Sequence, residues 1–350
     1  MWGHLFGGVG ILAEKTGKRF CIPLALRVQD GIKTVRSWEK EEEQATSHVT
    51  ETIRMAFEIG KRFGKSILLL DRLFLTVPAL TTLAALNGDS PCLQIVTKAK
   101  SNCTAYDPPS APTGRRGRPP KKGKAIKLFD LFETEKEVFQ EAWVTLYGKS
   151  QKIRYHCVDL LWGQGLYQKL RFVLVKYNDT RAVLVSTDQQ LHPLDIISLY
   201  GKRFGIETMF REMKQVAGAF GYRFWSKYTP RLNRYRKKTE PDPLIQVTNH
   251  HDRERIALAI KAIEGFVFCA AVATGLLQII ALRFSESNEF QHLRYLRTRR
   301  SAVISEATAA DYLRRNFFRL LWNHPLLPLT RIISIKQSRS SDTSGLPLAS

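Results

Sequence analysis

The stretch Tyr200 to Gln215 reads YGKRFGIETMFREMKQ, and its pattern of charge and hydrophobicity guides the interpretation of the chain. An α-helix turns by about 100° per residue, so with Arg203 at the origin Glu207 falls at about 40°. On the same scale Lys214 falls at about 20° and Tyr200 at about 60°. One strip of the predicted helix therefore carries a carboxylate, two cations and a phenol. The other side is apolar and suited to packing: Ile206, Met209, Phe210, Met213, Val216, Ala217 and Phe220.

Two interpretations of this strip remain open on geometry alone. Arg203 and Glu207 stand four residues apart, so they can form an ordinary ion pair on a solvated helix face. The spacing Tyr-x2-Arg-x3-Glu-x6-Lys, with Phe204, Ile206 and Phe210 around the glutamate, also resembles the signature of DDE-type insertion-sequence transposases, in the branch that cuts DNA through hairpins. That resemblance implies a metal-dependent DNA strand transferase with an RNase H-like core.

Composition favours a polyanionic partner. The chain has 350 residues, with 54 lysines and arginines against 32 aspartates and glutamates, a formal net charge of +22. Such a field suits double-stranded DNA, although a membrane surface or a merely basic soluble protein remain alternatives. Five scattered cysteines form no CxxC pair, and Met1 to Gly10 lacks the features of a signal peptide, so we expect a reduced, cytoplasmic protein. The resemblance to insertion-sequence transposases implies in addition a prokaryotic protein associated with the nucleoid.

Gly265 to Leu282 is the one stretch that could be mistaken for a membrane span, because its 18 residues are uncharged. Lys261 and Glu264 precede it directly, and Gln278 lies inside it. We therefore expect a buried core helix and no membrane, within a longer helix over Ile256–Phe284.

The order of elements in the first hundred residues predicts an α/β core. Apolar runs, turn residues and charge placement indicate two strands within Met1–Asp30, a helix over Ser37–Gly64, a strand over Lys65–Phe74, a helix over Thr76–Asn87 and a strand over Cys92–Lys98. This order is similar to that of an RNase H-like core after its first strand.

Asp71 ends the third of these strands, at the sheet edge where ligands of α/β proteins bind. Asp71-Arg72-Leu73-Phe74 resembles the family element that carries the second catalytic aspartate, with Leu73 where a smaller residue is usual. A simple cap at the strand end is the alternative.

Residues 104–127 are rich in proline, glycine and basic side chains, a composition that predicts a basic linker. Within it Arg116-Gly-Arg118-Pro resembles the core of an AT-hook, whose arginines enter narrow minor grooves, while contact with phosphates alone is the alternative. From Ala142 to Thr187 apolar and polar residues alternate, which predicts an all-β segment. The resembling family carries a β-rich insertion domain at this position.

Aromatic and basic residues interleave in Tyr222–Tyr228 and Arg231–Lys238, a composition that suits phosphates and stacked bases. By resemblance, Trp225 would stack on a flipped base, and packing under a loop is the alternative. Further helices are expected over Tyr295–Ala310 and Tyr312–Trp322, followed by a disordered tail.

The predicted fold is thus α/β: an RNase H-like mixed sheet flanked by helices, interrupted by a β-rich insertion domain, with the first core strand missing. Its parts are the N-terminal part of the core (1–103), the linker (104–127), the insertion (128–190), the C-terminal part of the core with DNA-binding helices (191–335) and the tail (336–350).

The resemblance assigns roles to the positions that match the family's motif. Asp71 and Glu207 would be catalytic ligands of Mg²⁺ or Mn²⁺, Arg203 and Lys214 would hold phosphates of the transposon end, and Tyr200 would hydrogen-bond one of them. A homodimer on DNA is implied.

The family needs a third carboxylate, on a strand upstream of the two paired strands. Asp30 follows the paired strands and Glu14 lies between them, so neither is in the required place. We therefore expect an N-terminally truncated transposase that lacks the first catalytic Asp and performs no strand transfer by itself. A structure-specific nuclease, a DNA-end-binding inhibitor of the intact enzyme and a membrane protein are the competing hypotheses.

Overall fold

The structure, a computed structural model, describes residues 4–29, 33–39, 47–89, 91–110, 119–146, 148–230, 240–287 and 302–324, with single positions up to 335. Ten strands and eight α-helices lie within these residues. The mixed α/β class predicted from sequence is confirmed.

The chain begins with a hairpin. Strands β1 (Phe6–Lys15) and β2 (Lys18–Val28) pair antiparallel, as the sequence predicted. Their turn consists of Thr16 and Gly17, both at positive φ, where glycine is unstrained. Within the described residues the two strands pair only with each other and form a sheet of their own.

Two helices replace the single one expected over Ser37–Gly64: α1 (Lys33–Glu39) and α2 (His48–Gly60). The Ser47 side chain accepts a hydrogen bond from the Thr50 backbone N–H, which defines the start of α2. The glutamates at 41–43, on which the longer helix was based, lie outside the described residues.

Strand β3 (Ser66–Leu69), helix α3 (Val77–Asn87) and strand β4 (Leu93–Lys98) follow where they were expected, and β3 and β4 pair in parallel. Thr76 caps α3 through the Ala79 N–H, and Pro78 lies in the first turn, where its missing N–H costs nothing. Helices α2 and α3 pack here over a cluster that includes Ile53, Leu83 and Ile95.

The predicted β-rich segment is present, but it is part of the main sheet. It contributes β7 (Gln140–Leu146), β8 (Lys149–Trp162), β9 (Gln168–Tyr177) and β10 (Thr180–Ser186), which form an antiparallel meander. Strand β10 then pairs with β4, so the eight-stranded sheet runs β3-β4-β10-β9-β8-β5-β6, with β7 also on β8. The expected insertion therefore continues the core sheet.

The linker predicted over 104–127 also begins and ends in this sheet. Its first residues form β5 (Thr104–Tyr106) and its last form β6 (Ala125–Lys127), and the two strands pair antiparallel. Residues 111–118, which include Arg116 and Arg118, lie outside the described residues. A short helix α4 (Leu131–Thr134) follows β6.

The remaining helices are α5 (Pro193–Gly201), α6 (Gly205–Gln215), α7 (His250–Phe284) and α8 (Glu306–Asn323). The helix predicted over Ile256–Phe284 is confirmed and begins earlier. Of the helix expected over Tyr295–Ala310, residues 295–301 lie outside the described residues, 302–305 are not helical, and 306–310 form the start of α8. Helix α8 overlaps the one expected over Tyr312–Trp322 and begins earlier.

The core lies on both faces of β9. Leu170, Phe172 and Leu174 are fully buried in one cluster, and Val173 and Val175 are buried in another on the opposite face. A central strand covered on both faces explains the continuous apolar run in its sequence.

Replacing Phe172 by alanine should destabilise the protein by about 3–5 kcal/mol, because the ring is fully buried in a hydrophobic cluster and its removal leaves a cavity. Urea unfolding followed by circular dichroism measures this. Trp143→Ala on β7 is the control: it removes another large aromatic ring, 68% exposed, and should change the free energy of unfolding by no more than about 0.5 kcal/mol. Equal effects of the two substitutions would contradict the placement of the core.

Candidate functional site

The predicted helix over Tyr200–Gln215 is interrupted. Tyr200 lies in the last turn of α5, residues 202–204 form a tight turn, and α6 begins at Gly205. A Cβ atom at Gly205 would lie 2.8 Å from Leu12 Cδ2, and one at Gly201 would lie 3.1 Å from Leu146 Cδ2. The two glycines let the turn approach the hairpin and the main sheet closely.

Arg203 and Glu207 form the ion pair that their spacing predicted. Arg203 Nη2 donates to Glu207 Oε1 at 2.9 Å, and the side chains are 22% and 49% exposed. Glu207 lies in the first turn of α6, where the helix dipole favours a negative charge. The interpretation as an ion pair on a solvated surface is thus correct, and the Glu207 carboxylate remains accessible to solvent within this pair.

Asp71 follows β3 at the carboxyl end of the parallel pair. Its Oδ1 accepts a hydrogen bond from the Arg72 N–H at 2.7 Å and caps a 3₁₀ turn over Arg72–Phe74. Its carbonyl oxygen accepts a hydrogen bond from Thr97 Oγ1 at 2.9 Å, which ties it to β4. The capping role considered from sequence is real, and it uses one side of the carboxylate.

Arg203 brings these groups into one electrostatic site. Burial alone would lower its pKa, but the hydrogen bond to Glu207 and the charges of Tyr200, Asp71 and Glu207 outweigh burial and raise the pKa above its usual value. The guanidinium therefore stays charged and lies within electrostatic reach of both predicted acids. Residues at the end of β3, the end of α5 and the start of α6 thus all act electrostatically on one cation, and Glu207 is in direct contact with it through its hydrogen bond.

Lys214 lies seven residues after Glu207 on α6, two helical turns or about 10 Å further along the same side. It is exposed and in the last turn, where the helix dipole favours a cation. The four positions of the motif therefore do not form one contact group. Tyr200, Arg203 and Glu207 are clustered, and Lys214 extends the strip along the surface.

Trp225 is 61% exposed in a segment without regular secondary structure, so it is not packed under a loop. Its ring stacks on His4, with centroids 5.8 Å apart and planes at 21°. His4 Nδ1 also lies 2.9 Å from the Tyr222 hydroxyl, and burial lowers the His4 pKa. The indole thus belongs to an aromatic surface cluster with one face held by His4.

Two contacts at the site were not predicted from the sequence. Thr97 fixes the backbone of Asp71 from the neighbouring strand. Lys202, next to Arg203, lies 3.8 Å from Glu14, which is also 3.1 Å from Arg19. These contacts join the hairpin to the α5–α6 turn, and no sequence motif could have indicated them because they depend on the approach of distant segments.

The two carboxylates of Asp71 and Glu207 supply part of the ligand set that a hard divalent cation needs. Each carboxylate has several acceptor positions, so Asp71 and Glu207 can each ligate a metal through oxygen and still accept the hydrogen bond described above. Across the described ranges no group of three or more His, Cys, Asp and Glu side chains is arranged to hold a metal. Two carboxylates fit Mg²⁺ when water and phosphate oxygens complete its shell, as is usual for this ion.

Comparison of the chain with protein-family models, curated proteins and solved structures gave no match. The resemblance to DDE-type transposases therefore rests on the residues described above.

The Glu207→Gln substitution should lower the free energy of unfolding by less than about 1 kcal/mol, because the ion pair is half exposed and screened by solvent. Urea unfolding measures the effect. Asp311→Asn on α8 is a matched control, because Asp311 and Arg315 form another i,i+4 pair at 2.8 Å. A loss above about 2 kcal/mol for Glu207 alone would give this carboxylate a structural role and weaken the functional interpretation.

Proposed function

We propose that the chain binds double-stranded DNA as a DDE-type transposase and that Asp71 and Glu207 are acidic groups of its phosphoryl-transfer site. One observation carries the proposal: the Arg203 guanidinium donates a hydrogen bond to Glu207 at 2.9 Å, and the charge of Asp71, 132 positions earlier in the sequence, helps to raise the Arg203 pKa. Two acids and a permanent cation at the carboxyl end of a parallel strand pair form the kind of site in which phosphates and divalent ions bind.

In this proposal each residue has a separate task. Asp71 and Glu207 would hold a divalent cation, and that ion would supply activation of the attacking oxygen and stabilisation of the leaving one. Arg203 binds a phosphate of the DNA end and keeps its charge throughout, because its pKa is raised. Tyr200 hydrogen-bonds the same backbone, and Lys214 neutralises a phosphate two helical turns away.

The charge of the chain supports the same partner. A net charge of +22 gives a field that attracts DNA, and exposed Arg211 and Lys214 place part of that charge on α6 beside Glu207. Trp225, with one face on His4 and 61% of its surface exposed, can stack on an unpaired base. We further propose that the protein works in the prokaryotic cytoplasm, on DNA, as a homodimer.

A second candidate is DNA-end binding without cleavage. It is favoured by the acid count, since within the described part of the chain only two acids converge on Arg203 and three are needed for the family's chemistry. Incubation of the purified chain with end DNA and Mg²⁺ separates the two candidates: strand transfer would establish the first, and tight binding with intact DNA the second.

Metal-directed backbone cleavage tests the acidic site without any requirement for activity. We expect Fe²⁺ with ascorbate and peroxide, in the presence of duplex DNA, to cut the wild-type chain near residues 71 and 207. The reason is that hydroxyl radicals form at the bound ion, which replaces Mg²⁺ on oxygen ligands. Excess Mg²⁺ should suppress the cuts. Asp71→Asn and Glu207→Gln should each reduce cutting at both places.

Asp311→Asn, on α8, is the control for this mapping and should leave the cuts unchanged. Cuts confined to one of the two segments, or cuts that persist in both site variants, would show that the acids do not share an ion.

Lys214→Ala should weaken binding to duplexes of any sequence and reduce the slope of log affinity against log salt concentration by about 1, because one phosphate contact is lost. Fluorescence anisotropy of a labelled duplex over a range of NaCl concentrations measures both. Lys152→Ala on β8, where the lysine is 54% exposed and paired with Glu141, is the control and should leave the slope unchanged. An unchanged slope for Lys214→Ala, or the absence of DNA binding at low salt, would refute the proposed interface.

A further inference from the structure

Helix α7 has two apolar faces, and within the described part of the chain its neighbours cover only one of them. Ile263, Val267, Ala271 and other side chains of the covered face are buried, and the helix packs there on β2, α6 and α8. The expectation of a buried core helix is therefore correct for this face alone. The helix is also long and apolar enough to cross a membrane, which by itself is weak evidence of a span.

The other face carries a stripe of exposed residues, here called the α7 seam. Successive members of the stripe are alternately four and three positions apart. Its larger side chains are 38–58% exposed, and the position of a Cβ at Gly265 has no atom within 4 Å. The members besides Gly265 are Leu258, Ala262, Cys269, Val272, Leu276 and Ile279. An average spacing of 3.5 residues keeps a stripe facing a partner helix over its whole length.

The size of the seam suits another protein chain. It extends over about 32 Å of helix, three heptads, because each residue adds about 1.5 Å. Phe266, Phe268 and Phe284 flank it and are 40–54% exposed. A stable interface between proteins buries roughly 800 Å² per partner, and a row of exposed apolar side chains of this length suits a partner surface of that size.

Charge at the ends of the seam selects the arrangement of two copies. Arg283 stands four residues after Ile279 and continues the heptad spacing, so a parallel pair would place Arg283 against Arg283 of the second copy. In an antiparallel pair, Arg283 instead lies near Leu258 and Glu254 of the second copy, on the same side of the groove. Both Arg283 and Glu254 are exposed, and antiparallel helix dipoles also attract.

We propose that the α7 seam is a homodimer interface in which α7 of two copies packs antiparallel, with Glu254 of each copy beside Arg283 of the other. Small residues in the middle of the seam, Ala262, Gly265 and Cys269, let the two helices approach closely. The proposal concerns a surface separate from the acidic site and does not depend on DNA chemistry.

Sedimentation equilibrium of the full chain without DNA, over micromolar concentrations, tests the interface. We expect a dimer for the wild type. Leu276→Glu should raise the dissociation constant at least about 100-fold, because the dimer contains the buried charge twice. The side chain is 55% exposed in the single chain, so circular dichroism should be unchanged. Phe318→Glu on α8, at a position 82% exposed, is the matched control and should remain dimeric.

A charge exchange tests the antiparallel orientation. Glu254→Arg and Arg283→Glu should each weaken the dimer, and the double variant should restore it, because the opposite charges again face each other. In a parallel pair the double variant would stay weak.

Three results would overturn the proposal. They are a monomeric wild type at all concentrations, a dimer that Leu276→Glu leaves intact, and a wild type that needs detergent for extraction from membranes while Leu276→Glu does not. The third result would assign the seam to a lipid surface.

Discussion

The pairing of β10 with β4 is the constraint on which the candidate site depends. Val185 pairs with Thr97 and Ser186 with Val96, so the strand that leads to α5 and α6 is fixed beside the strand next to β3. Thr97 uses its hydroxyl to hold the Asp71 carbonyl, and Leu70 N–H donates to Val96 O at 2.9 Å. These contacts in the sheet place Asp71 where its charge acts on Arg203, although 132 positions separate the two residues.

The same pairing explains why the β-rich segment is not a separate domain. Its meander has a central strand, β9, that is buried on both faces, and β10 needs a partner on its free side to satisfy its backbone groups. Strand β4 supplies that partner and links the parallel and antiparallel parts of the sheet. The hairpin β1–β2 packs differently: it contacts α7 and α6 through side chains and pairs with no other described strand.

The candidate site and the α7 seam differ in the kind of side chain that they leave exposed to solvent. At the site, charged groups offset one another, and Arg203 remains charged although its side chain is partly buried. On α7, apolar side chains remain in water along one face, which is unfavourable unless another surface covers them. The first arrangement suits a charged ligand with metal ions, and the second suits a second helix.

Local pattern was sufficient for much of the fold. The apolar run before Asp71, the alternation over 142–187 and the Thr76–Pro78 start of α3 each predicted an element that the structure contains. These predictions succeeded because strand alternation, helix capping and turn preference act over a few residues. The helix break at 202–204 was missed because apolar periodicity continues across it, while the turn depends on contacts of Gly201 and Gly205 with distant side chains.

The sequence by itself determined the ion pair Arg203–Glu207, the positions of most strands and the basic charge of the protein, since these depend on residue spacing and composition. Only the tertiary structure decided that the charge of Asp71 acts on Arg203, that the β-rich segment continues the core sheet, and that the described residues leave one face of α7 exposed. The physical reason is that strand pairing and helix packing join residues far apart in the chain, and no local pattern encodes which distant surfaces meet.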